Sequence, residues 1–151
     1  MGLDMYLKGK RYLRIHEREE YADELAELGD TFCLGNQINE LTFEAGYWRK
    51  ANAIHNWFVN NVQGGVDDCG EYRVPFSSLV KLRDVCKEVL QNGEEYAEKF
   101  LPPASGFFFG NADVDEYYWE CVKHTYEMMY ELCLNDDVSS GTIEFFYQSS
   151  W

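Results

Sequence analysis

Tyr47-Trp48-Arg49-Lys50-Ala51-Asn52-Ala53-Ile54-His55-Asn56-Trp57-Phe58-Val59-Asn60-Asn61-Val62-Gln63 is unlike the rest of the chain. Acids make up 27 of the 151 residues, yet none occurs between Glu44 and Asp67. That interval instead holds Arg49, Lys50, His55, five amides and two of the four Trp residues. Ile54, Trp57, Phe58 and Val62 recur at helical spacing as one apolar stripe, which predicts a helix across the whole stretch. Arg49, Asn52 and Asn56 then share another face, with His55 and Asn60 beside it. Gly64-Gly65 supplies the stop, because glycine tolerates the left-handed conformation at a helix end. The plainer account is an amphipathic core helix with a solvated polar face. The sharper account is an anion-accepting pocket lined by Tyr47, Trp48, Arg49, Lys50, Asn52, His55 and Asn56. Cations, amides and aromatic rings together suit a phosphate or a nucleobase.

Outward from this stretch, the period of the pattern changes. Leu3, Met5 and Leu7 alternate with Asp4, Tyr6 and Lys8, which predicts a half-buried strand over residues 1–8. Gly9 marks a bulge or turn, with Tyr12 to Ile15 as a possible continuation. Residues 17–28 have helix-forming composition and end at Gly29-Asp30. A second strand is expected at 38–47, with Leu41, Phe43 and Ala45 on its clean face. Gly64 to Gly70 reads as a loop, and residues 71–74 as a short extended segment ending at Pro75. Ser77 suits the N-cap of a helix over 78–91. A short acidic helix follows at 94–101, before Pro102-Pro103. Gly106-Phe-Phe-Phe-Gly110 is a further strand candidate or a core-plugging loop. The strongest helix is expected at 115–134, with its first acids placed against the positive end of the helix dipole. Residues 142–148 alternate as a last strand. The pattern as a whole predicts an α+β fold, a small antiparallel sheet with four to five helices packed mainly on one face.

Length and composition limit the function classes. The 151 residues suit one domain (1–151) with a sizeable core. No apolar run reaches the roughly 18 residues that a membrane span requires, and nothing at the N-terminus reads as a secretion signal. The five cysteines form no CxxC pair, which disfavours a structural zinc site and suits free thiols in a reducing cytoplasm. The formal charge is −14, unevenly spread. Residues 1–18 hold five bases against two acids, while residues 111–151 hold nine acids against Lys123. Direct nucleic-acid binding through the whole surface is disfavoured. A basic protein surface is a compatible partner, with Asp113, Asp115, Glu116 and Glu120 as the acidic face that would meet it.

Five motifs taken together, Met1-Gly-Leu-Asp-Met-Tyr-Leu7, Gly46-Tyr-Trp-Arg-Lys-Ala-Asn-Ala-Ile-His-Asn-Trp-Phe-Val59, Asp67-Asp-Cys-Gly-Glu-Tyr72, Gly106-Phe-Phe-Phe-Gly110 and Phe146-Tyr-Gln-Ser-Ser-Trp151, span the chain. In this combination the sequence resembles a family of small acidic proteins from tailed bacteriophages and prophages. No defined chemistry attaches to those motifs, so no catalytic residue is carried over. The resemblance implies an accessory protein in the cytoplasm of a bacterial host, where a counter-defence role is the natural analogy.

Catalytic and metal constellations are weak. Asp67-Asp68-Cys69 with His55 is the one arrangement that could supply a base and a nucleophile, and a solvated turn explains it as well. Glu120, His124 and Glu127 share helical spacing but lack a second ligand motif. Asp113, Asp115 and Glu116 resemble part of a calcium loop without its glycine and distal glutamate. The phosphate-loop pattern is absent. No cofactor is expected. The reading that remains is a binding protein, more plausibly not an enzyme, that sequesters a nucleotide-like small anion or a host defence protein. The alternatives are an acidic mimic of nucleic acid and a homo-oligomeric structural protein.

Overall fold

A computed structural model describes residues 2–31, 38–104 and 113–151. Four strands form one antiparallel sheet: β1 (Asp4–Tyr12), β2 (Glu40–Arg49), β3 (Tyr72–Val74) and β4 (Ile143–Ser150), in the order β2-β1-β4-β3. Seven helices lie among the described residues: α1 (Ile15–Glu20), α2 (Ala22–Thr31), α3 (Asn52–Asn61), α4 (Phe76–Asn92), α5 (Glu94–Phe100), α6 (Glu116–Leu134) and α7 (Asp136–Ser139). The class is α+β, as the patterning predicts. The strand candidate or core-plugging loop expected at 106–110 lies outside the described residues.

β1 occupies the centre because its alternation serves two neighbours at once. Met5 faces Trp48 of β2 and Ser149 of β4, and Leu7 faces Gly46 and Tyr147. Leu3, Met5 and Leu7 are fully buried on this inner face, together with Trp48, Val74, Phe145 and Tyr147. They join Ile54 and Phe58 of α3, Leu79, Leu82, Cys86 and Val89 of α4, Ala97 of α5, and Tyr118, Val122 and Met129 of α6 in one apolar cluster. The opposite face carries Tyr6, Lys8, Lys10, Tyr47, Arg49, Phe146 and Gln148, none of them buried. There Lys8 and Lys10 share Glu71 (3.4 and 2.8 Å), and the Lys10 ammonium sits 4.2 Å from the Phe146 ring centre.

The helix expected from Tyr47 begins only at Asn52. Tyr47, Trp48 and Arg49 are the last residues of β2, paired with Tyr6, Met5 and Asp4. The Lys50 amide then donates to the Leu3 carbonyl at 2.7 Å, and Lys50 turns the chain with φ 55°. Pairing with β1 outweighs the local helical preference, because Trp48 gains full burial on the pleat. The register also changes within β2. Leu7 faces Gly46 but Lys8 faces Glu44, so Ala45 is the extra residue of a β-bulge. The expected face Leu41-Phe43-Ala45 therefore becomes Leu41, Phe43, Gly46 and Trp48.

Other boundaries differ less. β1 runs straight through Gly9 rather than turning there. The first helix is split at Tyr21 into α1 and α2. Pro75, not Ser77, caps α4; its fixed φ suits the extended residue that precedes a helix. Asp115 caps α6, where its carboxylate accepts from the Tyr118 amide at 2.9 Å. No helix of the described residues is long and apolar enough to cross a membrane.

Candidate functional site

A cavity of about 200 Å³ opens where α3 begins, against the first turns of α6. Lys50, Ala51, Asn52, Ala53 and Ile54 form one wall, and Asp113, Asp115, Tyr117, Tyr118, Cys121 and Val122 the other. The first wall follows from the turn between β2 and α3. The positive φ of Lys50 ends the strand and swings the chain into α3. The N-cap is Ala51, which offers no side-chain acceptor to the first turn of that helix. The second wall follows from helical spacing, since Tyr117, Cys121 and the neighbouring Tyr118 and Val122 come round to one side of α6.

Most polar groups in this cavity are engaged. The Tyr118 hydroxyl donates to the Leu101 carbonyl at 2.9 Å, and the Tyr117 hydroxyl donates to the Arg49 carbonyl. The Asn52 side-chain oxygen accepts from the Ala104 amide at 3.2 Å, and Asp115 caps α6. Burial pushes the Tyr117 phenol up to about 12, and Cys121 next to it is also raised, chiefly by burial. Both stay neutral at physiological pH. Lys50 and Asp113 differ from their neighbours: neither makes an ion pair or side-chain hydrogen bond among the described residues, with each other or with anything else.

Two residue sets that the sequence suggested separately thus meet at one place. Lys50 and Asn52 of the acid-free stretch face Asp113 and Asp115 of the acidic segment across the cavity. The remaining residues of the first set lie elsewhere. Tyr47 is on the open sheet face and donates its hydroxyl to Asp4 at 2.5 Å. Arg49 is beside it, 63% exposed, with Nε 4.0 Å from the same carboxylate. Trp48 is buried, and its indole N–H donates to Thr125 Oγ1 at 2.8 Å. Asn56 accepts from the Asn60 amide at 3.0 Å. Glu116 and Glu120 are exposed on α6 outside the cavity. Helical spacing in the sequence puts Tyr118, Cys121 and Val122 on the buried face of the 115–134 helix but does not mark them as part of a site, and Tyr117 was not singled out at all; the Tyr117-Tyr118 pair, two residues after the Asp115 cap, was the available signal.

His55 is only 1% exposed and belongs to a buried polar chain. Its Nε2 is 3.0 Å from Asp67 Oδ2, and its Nδ1 is 2.8 Å from the Tyr147 hydroxyl. Asp67 Oδ1 accepts from the Trp151 indole at 3.1 Å. A carboxylate only accepts, so Nε2 carries a hydrogen; in the neutral ring Nδ1 then accepts from Tyr147. Burial, and after it the nearby Asp67 charge, raises the Tyr147 phenol well above its ordinary value, which keeps that donor protonated. With both nitrogens engaged, no basic nitrogen is left for the Cys69 thiol. The sequence set His55 against Asp67-Asp68-Cys69 only as a base and nucleophile; the contact with Asp67 and the burial of His55 were not legible in it. Among the described residues no group of three or more His, Cys, Asp and Glu side chains is placed to hold a metal ion.

Comparison of the chain with protein-family models, with curated proteins and with solved structures finds no match.

Proposed function

We propose that this protein is a non-catalytic binding protein. It holds a small anionic, nucleotide-like ligand in the cavity between the start of α3 and the start of α6. The observation that carries this reading is Lys50, an exposed lysine among the residues that line the cavity and without an ion pair among the described residues. An unpaired cation at a cavity wall is the recognition element that an anion requires. Apolar walls from Ala53, Ile54 and Val122 supply the burial that fixes a small molecule. In the cytoplasm of an infected bacterium, such a protein would act by sequestering a nucleotide signal, a counter-defence role.

Isothermal titration of the purified protein with a nucleoside monophosphate tests the reading. Binding is expected, and Lys50→Gln is expected to weaken it about tenfold or more, the scale of one charge-assisted hydrogen bond. Affinity unchanged by Lys50→Gln, or no binding of any mononucleotide, would overturn it.

A further inference from the structure

The chemistry of the cavity narrows the ligand further. Its hydroxyls and amide oxygen are already spent on Leu101, Arg49 and Ala104, and Asp115 is spent on capping α6. What is left is an apolar lining with two free poles of opposite sign, Lys50 and Asp113. These two do not approach within ion-pair distance of each other. A ligand that satisfies only Lys50 would bring negative charge towards Asp113 and Asp115, in a protein that already carries −14. A polyphosphate is therefore a poor match, since like charges in a partly dry site repel. A carboxylate only accepts hydrogen bonds, and its two oxygens suit two adjacent N–H donors.

Resting on the binding function proposed above, we infer that the ligand is bipolar: a single anionic group for Lys50, an apolar body, and an edge of two adjacent N–H donors for Asp113. A guanine mononucleotide presents this chemistry: one phosphate, and a base whose N1–H and N2–H₂ lie side by side. Adenine lacks the edge, because its N1 is an acceptor.

Titration of wild type, Lys50→Gln and Asp113→Asn with GMP, AMP, GTP, arginine and inorganic phosphate separates the possibilities. Asp113 is exposed and makes no side-chain bond, so its substitution leaves folding intact. The expected result is binding of GMP, at least tenfold preferred over AMP and with no gain for GTP. Asp113→Asn is expected to weaken the preferred ligand about tenfold or more and to strengthen inorganic phosphate. Equal binding of AMP and GMP, sensitive to Lys50→Gln but unchanged or strengthened by Asp113→Asn, would overturn the donor-edge inference and leave the anion site standing. Absence of binding by GMP, AMP and GTP, whether or not arginine binds, would overturn both.

Discussion

Thr125 holds two elements together with one hydroxyl. Its Oγ1 donates to the Cys121 carbonyl one turn back (2.7 Å) and accepts from the Trp48 indole (2.8 Å), in a fully buried position. The tie joins the end of β2, just before the turn that forms one wall of the candidate cavity, to the middle of α6, whose first turns form the other. Thr125→Val keeps the shape and removes the acceptor, so the buried indole N–H loses its partner. The expected cost is about 1–3 kcal/mol in urea unfolding, the penalty of an orphaned buried donor. Thr125→Ser, which keeps the hydroxyl, is expected to cost clearly less. Equal losses in the two variants would assign the effect to packing instead. Phe58 beside this tie stacks on Tyr147 with ring centres 3.9 Å apart and planes 8° from parallel. The same Tyr147 fixes His55, so apolar packing and the buried polar chain support one another at these residues.

At the level of elements, β2 carries the most information. The bulge at Ala45 moves the inward-facing positions from Leu41 and Phe43 to Gly46 and Trp48. Phe43 of β2 pairs directly with Gly9 of β1, and its ring fills the space that a side chain there would need: a Cβ on Gly9 would fall 2.3 Å from the ring. Gly9→Ala must therefore push the Phe43 ring aside, at an expected cost of about 1–3 kcal/mol by denaturant unfolding. Stability equal to wild type would show that the ring moves freely. The two inner strands of the sheet were legible in the sequence because Leu3-Met5-Leu7 and the 142–148 segment alternate without ambiguity. The junction at 47–52 was not. Its residues fit a helix locally, and only the ladder with Asp4 to Tyr6 decides that Tyr47, Trp48 and Arg49 are strand. The candidate cavity was half legible for a related reason. The absence of acids pointed to Lys50 and Asn52, but residues 52 and 117 come together through tertiary packing that no local period encodes. Asp113 and Asp115 were read as part of a separate acidic face because sequence distance hides a shared wall.

Across the whole molecule, pH acts through groups that burial and pairing have shifted. Glu71 is held below its ordinary 4.5, first by the Lys10 hydrogen bond, and Glu17 likewise, first by the Arg14 amide. Stability from a depressed carboxyl is present above its unfolded value and is lost as pH falls through the folded one. This fixes the acid limb below about 4.5. The alkaline limb has more and deeper contributors. Burial raises Tyr147, Tyr118 and Cys86 above their ordinary 10.0, 10.0 and 9.0. Below those values both folded and unfolded chains hold the protons, and the stability is fully present. Above them the unfolded chain ionises freely while the folded chain keeps its protons, so each further rise in pH favours unfolding until the folded values are reached. The net charge of −14 works in the same direction, since every ionised phenol adds to the repulsion. Thermal midpoints are therefore expected to hold steady between about pH 7 and 9 and to fall steeply beyond pH 10. Tyr147→Phe gives the diagnostic comparison. It loses the hydrogen bond to His55, so it is less stable at neutral pH, but it has one fewer buried phenol to ionise. Its midpoint is expected to decline less steeply than wild type above pH 10, so the two curves converge. Parallel curves would mean that Tyr147 does not govern the alkaline limb, and the loss would then belong to Tyr118, Cys86 and the general charge.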